Sequence, residues 1–272
     1  MKITIVIENT KKEESLNCEH GLSIYLESKK HKLLMDTGSS GIAWDNAKAL
    51  GIDLKEIDTV VLSHGHYDHT GGVLAFAKEN DKAEIYIQKT AKRQYMSAKG
   101  GDHFIGVDPK VFELDKVHLL EGDYKIDEEL EIFTGVTGRR YWPEGNKKLF
   151  VRDQEGDHQD IFDHEEYLSV MAEGKKVLIS GCAHNGILNI LDKYREIYGE
   201  DPDLVLSGFH MMKSDAYTQE DIDLIQDTAR ELKKLKTVFY TGHCTSLPGY
   251  ELMKEIMGDR LHYMYTGREI VL

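Results

Sequence analysis

Four side chains able to bind metal stand within six residues: His64, His66, Asp68 and His69. They lie in Thr59-Val-Val-Leu-Ser-His64-Gly-His66-Tyr-Asp68-His69-Thr-Gly71-Gly72. An apolar run ends just before them, so they fall on the loop that leaves a strand. Imidazole offers a neutral nitrogen and carboxylate a hard oxygen, a mix that Zn²⁺, Fe or Mn accepts. His64 and His66, two apart on extended chain, can point to one ion. Asp68 and His69, adjacent on a tight turn, can diverge toward a second. Gly65 lets the backbone bend, and Gly71-Gly72 permits close approach of loop to helix. A polar turn that gathered three histidines and an aspartate by chance is a poor competitor.

Other strand ends repeat the pattern more weakly. Asp36 follows Leu33-Leu-Met and precedes Gly38, where it could also serve as a turn cap. His184 and His243 each end an apolar strand beside a glycine. Alone, either reads equally well as a loop histidine; beside the first motif, ligation is the better reading. His210 also follows an apolar run and Gly208, and is a candidate substrate contact, acid or alternative ligand. Cys182 and Cys244 read first as small buried fillers. His20 sits in a turn, and His103, His158 and His164 fit solvated loop positions. Arg139-Arg140-Tyr141-Trp142 can seat a phosphate and a ring, although most basic residues of 139–152 are expected to be solvated.

Short strands rich in Val, Ile and Tyr position these residues. They are expected at Lys2–Ile7, Ser23–Glu27, Lys32–Asp36, Thr59–Ser63, Glu84–Gln88 and Val117–Glu121. Later ones are expected at Leu130–Thr134, Tyr167–Ala172, Lys176–Ser180, Leu204–Ser207, Thr237–Thr241 and Leu261–Tyr265. Helices are expected at Ile42–Leu50, Gly72–Glu79, Ile187–Tyr198, Glu220–Leu235 and Tyr250–Met257. Thr218-Gln-Glu-Asp221 reads as a capping box, and Ile222, Ile225, Ala229 and Leu232 form one apolar stripe of ordinary core packing. Strands outnumber helices, and helices sit between strands near both ends. That predicts an α/β fold of sheets packed face to face with helices outside. The chain reads as one domain over 1–272. Residues 89–164 are polar and loop-rich, and read as an insertion covering the site.

Composition bounds the partners. The 272 residues include 34 basic and 48 acidic side chains, a net charge of −14. That field repels polyanions, so nucleic acid and anionic membrane are not expected partners. It leaves room for a local cationic site that takes a small anion. Three cysteines (Cys18, Cys182 and Cys244) form no framework, which suits a reducing, cytoplasmic setting. The opening MKITIVIENT lacks the apolar core of a signal peptide, and no apolar stretch reaches the length of a membrane span. Whether the chain forms a homodimer is left open.

With these residues in view, the sequence resembles the metallo-β-lactamase superfamily, whose signature is H-x-H-x-D-H after a strand. Leu33-Leu-Met-Asp36-Thr-Gly38, Val177-Leu-Ile-Ser-Gly181-Cys182-Ala-His184 and Phe239-Tyr-Thr-Gly242-His243-Cys244 resemble its other strand-end motifs. Within it the chain is most similar to the 7,8-dihydropterin-6-methyl-4-(β-D-ribofuranosyl)aminobenzene-5'-phosphate synthase-like proteins. That likeness rests on Glu19-His20-Gly21-Leu22-Ser23, Gly181-Cys182-Ala-His184, Ser207-Gly208-Phe209-His210 and Gly242-His243-Cys244-Thr245, and thins through 89–164.

The resemblance implies a four-layer αββα sandwich and two divalent ions, zinc first with iron or manganese as alternatives. It places one ion on His64, His66 and a third histidine, for which His184 is chosen, and the second on Asp68, His69 and His243. Asp36 resembles an aspartate that orients ligands from behind. Cys182 stands near the place where many relatives carry a shared aspartate, and is expected, like Asp36, behind the ligands, with joining the metals as the alternative. The expected chemistry is hydrolysis of an ester, phosphodiester or related bond of a small anionic substrate. A metal-bridging hydroxide would attack. Asp68 and His210 are the expected catalytic side chains, and Arg139 and Arg140 the substrate-binding ones. The alternative is transfer onto an activated pterin, as the subgroup's name implies. A redox di-iron protein ranks lower, since relatives of that kind carry glutamate where His66 stands and need an electron donor. A non-catalytic metal-binding protein fits poorly with a full ligand set.

Overall fold

The computed structural model describes residues 1–272. The first half of the chain forms β1 (Lys2–Ile7), β2 (Ser23–Glu27), β3 (Lys32–Met35), α1 (Ile42–Ala49), β4 (Thr59–Val61), α2 (Tyr67–Thr70), α3 (Val73–Glu79), β5 (Glu84–Gln88), β6 (Gln94–Ser97), β7 (His103–Phe104), β8 (Val117–Leu120), β9 (Tyr124–Lys125) and β10 (Leu130–Phe133). The second half forms β11 (Leu149–Asp153), β12 (Gly156–Gln159), β13 (Tyr167–Ala172), β14 (Lys175–Ile179), α4 (Ile187–Tyr198), β15 (Leu204–Leu206), α5 (Gln219–Lys233), β16 (Val238–Thr241), α6 (Leu247–Met257), β17 (Leu261–Tyr263) and β18 (Glu269–Val271).

Two seven-stranded sheets result, ordered β18-β1-β2-β3-β4-β5-β8 and β17-β16-β15-β14-β13-β10-β9. Side chains alternate across them as the pleat requires. Val177 and Ile179 of β14 face the opposite sheet, while Leu178 faces outward. β15 repeats this with Leu204 and Leu206 inward and Val205 outward. The inward set meets Ile3, Ile24, Leu26 and Leu33 of the first sheet. Outside the first sheet pack Ala43, Trp44 and Phe76 of α1 and α3. Outside the second pack Ile190, Ile225 and Met253 of α4, α5 and α6. Three apolar seams thus separate four layers, helix–sheet–sheet–helix. Each fully buried Leu or Ile in a seam adds roughly 1.5–3 kcal/mol.

Most boundaries move by one or two residues from the expected ones, and three regions differ for physical reasons. Helix α6 starts at Leu247 rather than Tyr250, because Ser246 Oγ caps Gly249 N–H and Pro248 is accommodated in the first turn. Residues 67–70 of the metal motif form a short helix instead of a plain turn. Segment 89–164 is less irregular than its composition suggests. β8 extends the first sheet and β9–β10 the second, while β12-β11-β6-β7 form a separate four-stranded sheet. The hairpin strand Gly156–Gln159 is exposed throughout, so it lacks the alternation that would reveal it.

Strands β3, β4, β5 and β8 run parallel, as do β14 to β17. The loops leaving β3, β4, β14, β15 and β16 meet at one pole, where open α/β sheets bind ligands. At the other pole, the β2–β3 turn places His31 between Asp58 (3.0 Å) and Asp127 (2.7 Å), which tie the two sheets together. No helix is long and apolar enough to cross a membrane.

Candidate metal centre

His64 and His66 leave β4, and His184 leaves β14. Their ligand nitrogens lie within 4.8 Å of one another. The Nε2 atoms of all three are buried without a hydrogen-bond partner. Neighbours fix the proton elsewhere on two of these rings. Ser63 Oγ donates to Asp36 Oδ2 at 2.7 Å, so it accepts from His64 Nδ1 at 2.8 Å. Asn146 Nδ2 donates to the His184 carbonyl at 2.7 Å, so its Oδ1 accepts from His184 Nδ1 at 2.9 Å. Their Nε2 atoms therefore present lone pairs. Converging buried lone pairs repel one another, and a cation resolves the conflict. Burial also holds the imidazoles neutral: His66 falls to about 3, and His64 and His184 fall well below the usual range.

A second group adjoins the first. Asp36 Oδ2 accepts from His69 Nδ1 at 2.6 Å, and Asn9 Oδ1 from His243 Nδ1 at 2.8 Å. The remaining Nε2 atoms of His69 and His243 stand 3.1 Å apart. Asp68 Oδ2 lies 3.3 Å from His243 Nε2 and 3.8 Å from His69 Nε2. Three acceptors again converge, and without a metal only a shared proton can join two such nitrogens. His69 reflects this: burial lowers its pKa, but the charges of Asp36 and Asp68 outweigh that and raise it. His243 falls to about 4, chiefly through burial. Both groups fit divalent cations by donor type, the first through neutral imidazoles and the second through two imidazoles and the Asp68 carboxylate.

The loops are held from behind. Asp36 is the hinge of both groups, accepting from Ser63 N–H at 2.7 Å as well as from Ser63 Oγ and His69. A Cβ on Gly181 would lie 2.1 Å from Ser63 Oγ, so only glycine lets the β14 end pack here. The buried Glu8 carboxylate accepts from His243 N–H at 2.5 Å and Tyr263 OH at 3.0 Å. Glu165 accepts from His184 N–H at 2.6 Å and Asn185 N–H at 2.9 Å. Asp36, Ala183, His210 and His243 all adopt positive φ, between 48° and 63°. Such backbone persists where its surroundings over-determine it.

The expected ligands His64, His66, Asp68, His69, His184 and His243 all meet at this pole. Cys182 stands closer than expected, with Sγ 3.1 Å from His69 Nε2, among the candidate ligands rather than behind them. His210 reaches the pole, its ring 4.1 Å from that of His184 and its Nδ1 buried without a partner. Arg139 and Arg140 do not meet the cluster. Arg139 donates to the carbonyls of Val136, Gly138 and Ile161, and Arg140 pairs with Asp192 at 3.0 Å on α4. Local carboxylates and carbonyls thus engage both guanidinium groups away from the cluster.

His103 and His158 are exposed, but His164 is fully buried and not a solvated loop residue. Its Nδ1 accepts from Gly65 N–H at 2.8 Å and its Nε2 donates to Asp160 at 3.2 Å, so it props the His64–His66 loop. His20 also reaches the site, with Nε2 3.3 Å from Asp68. Sequence reasoning missed Glu8, Asn9, Asn146, Glu165 and the burial of His164. Only Glu8 carried a signal, a carboxylate ending the apolar run Ile3–Ile7.

The sequence pattern of the metallo-beta-lactamase superfamily matches residues 16–146. An uncharacterised protein of Methanocaldococcus jannaschii is 32% identical, over 98% of this chain and 99% of its own. The 7,8-dihydropterin-6-methyl-4-(beta-D-ribofuranosyl)-aminobenzene-5'-phosphate synthase of the same organism is 27% identical over 93% of this chain and 90% of its own. A crystal structure named as a metal-dependent hydrolase of the beta-lactamase superfamily superposes with a TM-score of 0.83 at 28% identity, covering 100% of this chain and 99% of that one.

Proposed function

The chain belongs to the metallo-beta-lactamase superfamily, and we propose that within it the protein is a dinuclear-metal-dependent hydrolase acting on a small anionic substrate. The observation that carries this reading is the pair of adjoining groups of buried acceptors, one with three unpartnered Nε2 atoms. His64, His66 and His184 would hold one ion. Asp68, His69 and His243 would hold the other, with Cys182 beside them. Divalent ions bound there, zinc first and iron or manganese as alternatives, supply Lewis acidity: they lower the pKa of water and polarise a carbonyl or phosphoryl oxygen.

The chain's own residues do the rest. Asp36 keeps His64 and His69 in the ligating tautomer, directly for His69 and through Ser63 for His64. Glu8 and Glu165 hold the backbone of His243 and His184, so the rings cannot drift. His210, beside His184, is placed to contact the reacting group. Residues 89–164 act as the cover: Asn146 grips His184 and Gly145 packs on His210. The anionic substrate is drawn by the metal charge and not by Arg139 and Arg140. Unpaired Cys18, Cys182 and Cys244 support a cytoplasmic setting.

A second reading, a synthase-type transfer onto a pterin, is favoured by the 27% identity to the dihydropterin ribofuranosylaminobenzene phosphate synthase. One panel separates the two. Phosphodiesters, lactones, thioesters and pterin phosphates are offered to metal-loaded protein, with and without an aminobenzene acceptor. Release of an acid or phosphate without acceptor supports the hydrolase; product only with acceptor supports the transferase.

A further inference from the structure

We propose that Asn9 sets opposite tautomers on two neighbouring histidines, making His243 an inward lone pair and His20 an N–H donor for a substrate oxygen. The roles of metal and substrate rest on the reading above; the tautomers rest on hydrogen-bond polarity alone.

The Asn9 side chain meets two backbone groups whose polarity cannot change. Gly21 N–H can only donate, and it lies 3.4 Å from Oδ1. The His243 carbonyl can only accept, and it lies 3.4 Å from Nδ2. Together they fix which end of the amide is oxygen. His243 Nδ1, 2.8 Å from that oxygen, must carry the proton, which leaves its Nε2 free to ligate. His20 Nδ1, 3.3 Å from the amide nitrogen, must be the acceptor. A neutral His20 ring then carries its proton on Nε2. A doubly protonated ring would press N–H against N–H at Asn9.

The His20 Nε2–H points into the cluster, 3.3 Å from Asp68 Oδ2, with its ring 4.9 Å from that of His243. By distance alone His20 would count as a ligand, since its nitrogen groups with Asp68 and His243 within 4.8 Å. By tautomer it cannot be one, because a protonated nitrogen has no lone pair to give. Exposure gives it another task. The His20 side chain is 45% exposed, whereas those of His69 and His243 are 0% exposed. His20 therefore lines the open side of the cluster, where a phosphoryl or carboxylate oxygen must arrive. There its N–H can turn from Asp68 to the incoming acceptor.

The test uses the full chain labelled with ¹⁵N-histidine, read by long-range proton–nitrogen correlation. In metal-free protein, His20 is expected to show a protonated Nε2 and bare Nδ1, and His243 the reverse. Adding zinc should shift His243 Nε2 and leave the His20 N–H in place. A bare His20 Nε2, or its movement to a coordinated shift with zinc, overturns the proposal. Asn9→Asp offers acceptors to both rings, so His20 Nδ1 should gain a proton; if Nδ1 stays bare, Asn9 is not the selector. Inorganic phosphate titrated into zinc-loaded protein should perturb the His20 N–H and bind about tenfold more weakly in His20→Ala than in wild type. Equal affinity in both overturns the substrate contact. If no zinc binds, the metal reading fails, while the metal-free spectra still decide the tautomers.

Discussion

The two poles of the sandwich use histidine in opposite ways. At one, His31 lies between the carboxylates of Asp58 and Asp127. At the other, His64, His66 and His184 face one another, as do His69 and His243. Both sites are partly or wholly removed from water, so burial alone does not separate them. What separates them is the sign of the neighbour. Burial lowers the His31 pKa, but bonds to the two aspartates outweigh it and raise the pKa, so that ring holds its proton more firmly than a free imidazole. Among the clustered rings only His69 has such relief, from Asp36 and Asp68; His64, His66, His184 and His243 are held below the usual range by burial. One pole is complete in itself, and the other is complete only with cations.

The most disruptive way to break the contrast is His66→Ala. It should abolish turnover and remove the ion of the first group, counted by elemental analysis. Metal at a thousandfold its Kd stabilises by about 4.1 kcal/mol, so the metal-dependent rise in Tm should shrink accordingly. Full activity in this variant would contradict the account.

Asp36→Asn comes next, since it disturbs the shared hinge and leaves every ligand in place. Supporting partners of this kind are worth about 10–100-fold in metal affinity. Competition with a chelator should show that loss at both groups; a loss at neither would remove Asp36 from the site.

At the other pole, His31→Ala should cost roughly 1 kcal/mol, because the pairs are partly solvated. The folded pKa of His31 lies above its unfolded value. Its contribution is therefore complete below the unfolded pKa of about 6.5 and fades as pH rises through the folded pKa. Urea midpoints of wild type and variant should differ most in mild acid and converge at higher pH. A gap that widens with pH would mean the ring is neutral.

The smallest effect is expected from Arg139→Ala with Arg140→Ala. KM should change by less than about twofold, equally for phosphorylated and neutral substrates, because exposed pairs are worth little. A selective rise for phosphorylated substrates would return these residues to the site.

How much of this was legible in the sequence follows from the same physics. The six-residue run from His64 to His69 is local, so spacing alone displayed it. Asp36, His184 and His243 each end an apolar strand, and parallel strands bring such ends together. The helices with a stripe or a cap, such as α5, were legible as well. Asn146, Glu165 and the burial of His164 were not. They lie far along the chain from the rings they hold, in segments without apolar alternation. Arg139 and Arg140 were legible as basic residues beside Trp142, but their partners Ile161 and Asp192 were not, since those lie further along the chain.

The central claim is that two groups of converging acceptors each require a cation. Equilibrium dialysis against zinc, with metal counted per chain, tests it most directly. The account predicts two ions per wild-type chain and one when Asp68 and His243 are both replaced by alanine. No saturable binding in the wild type, or an unchanged count in the variant, would contradict it.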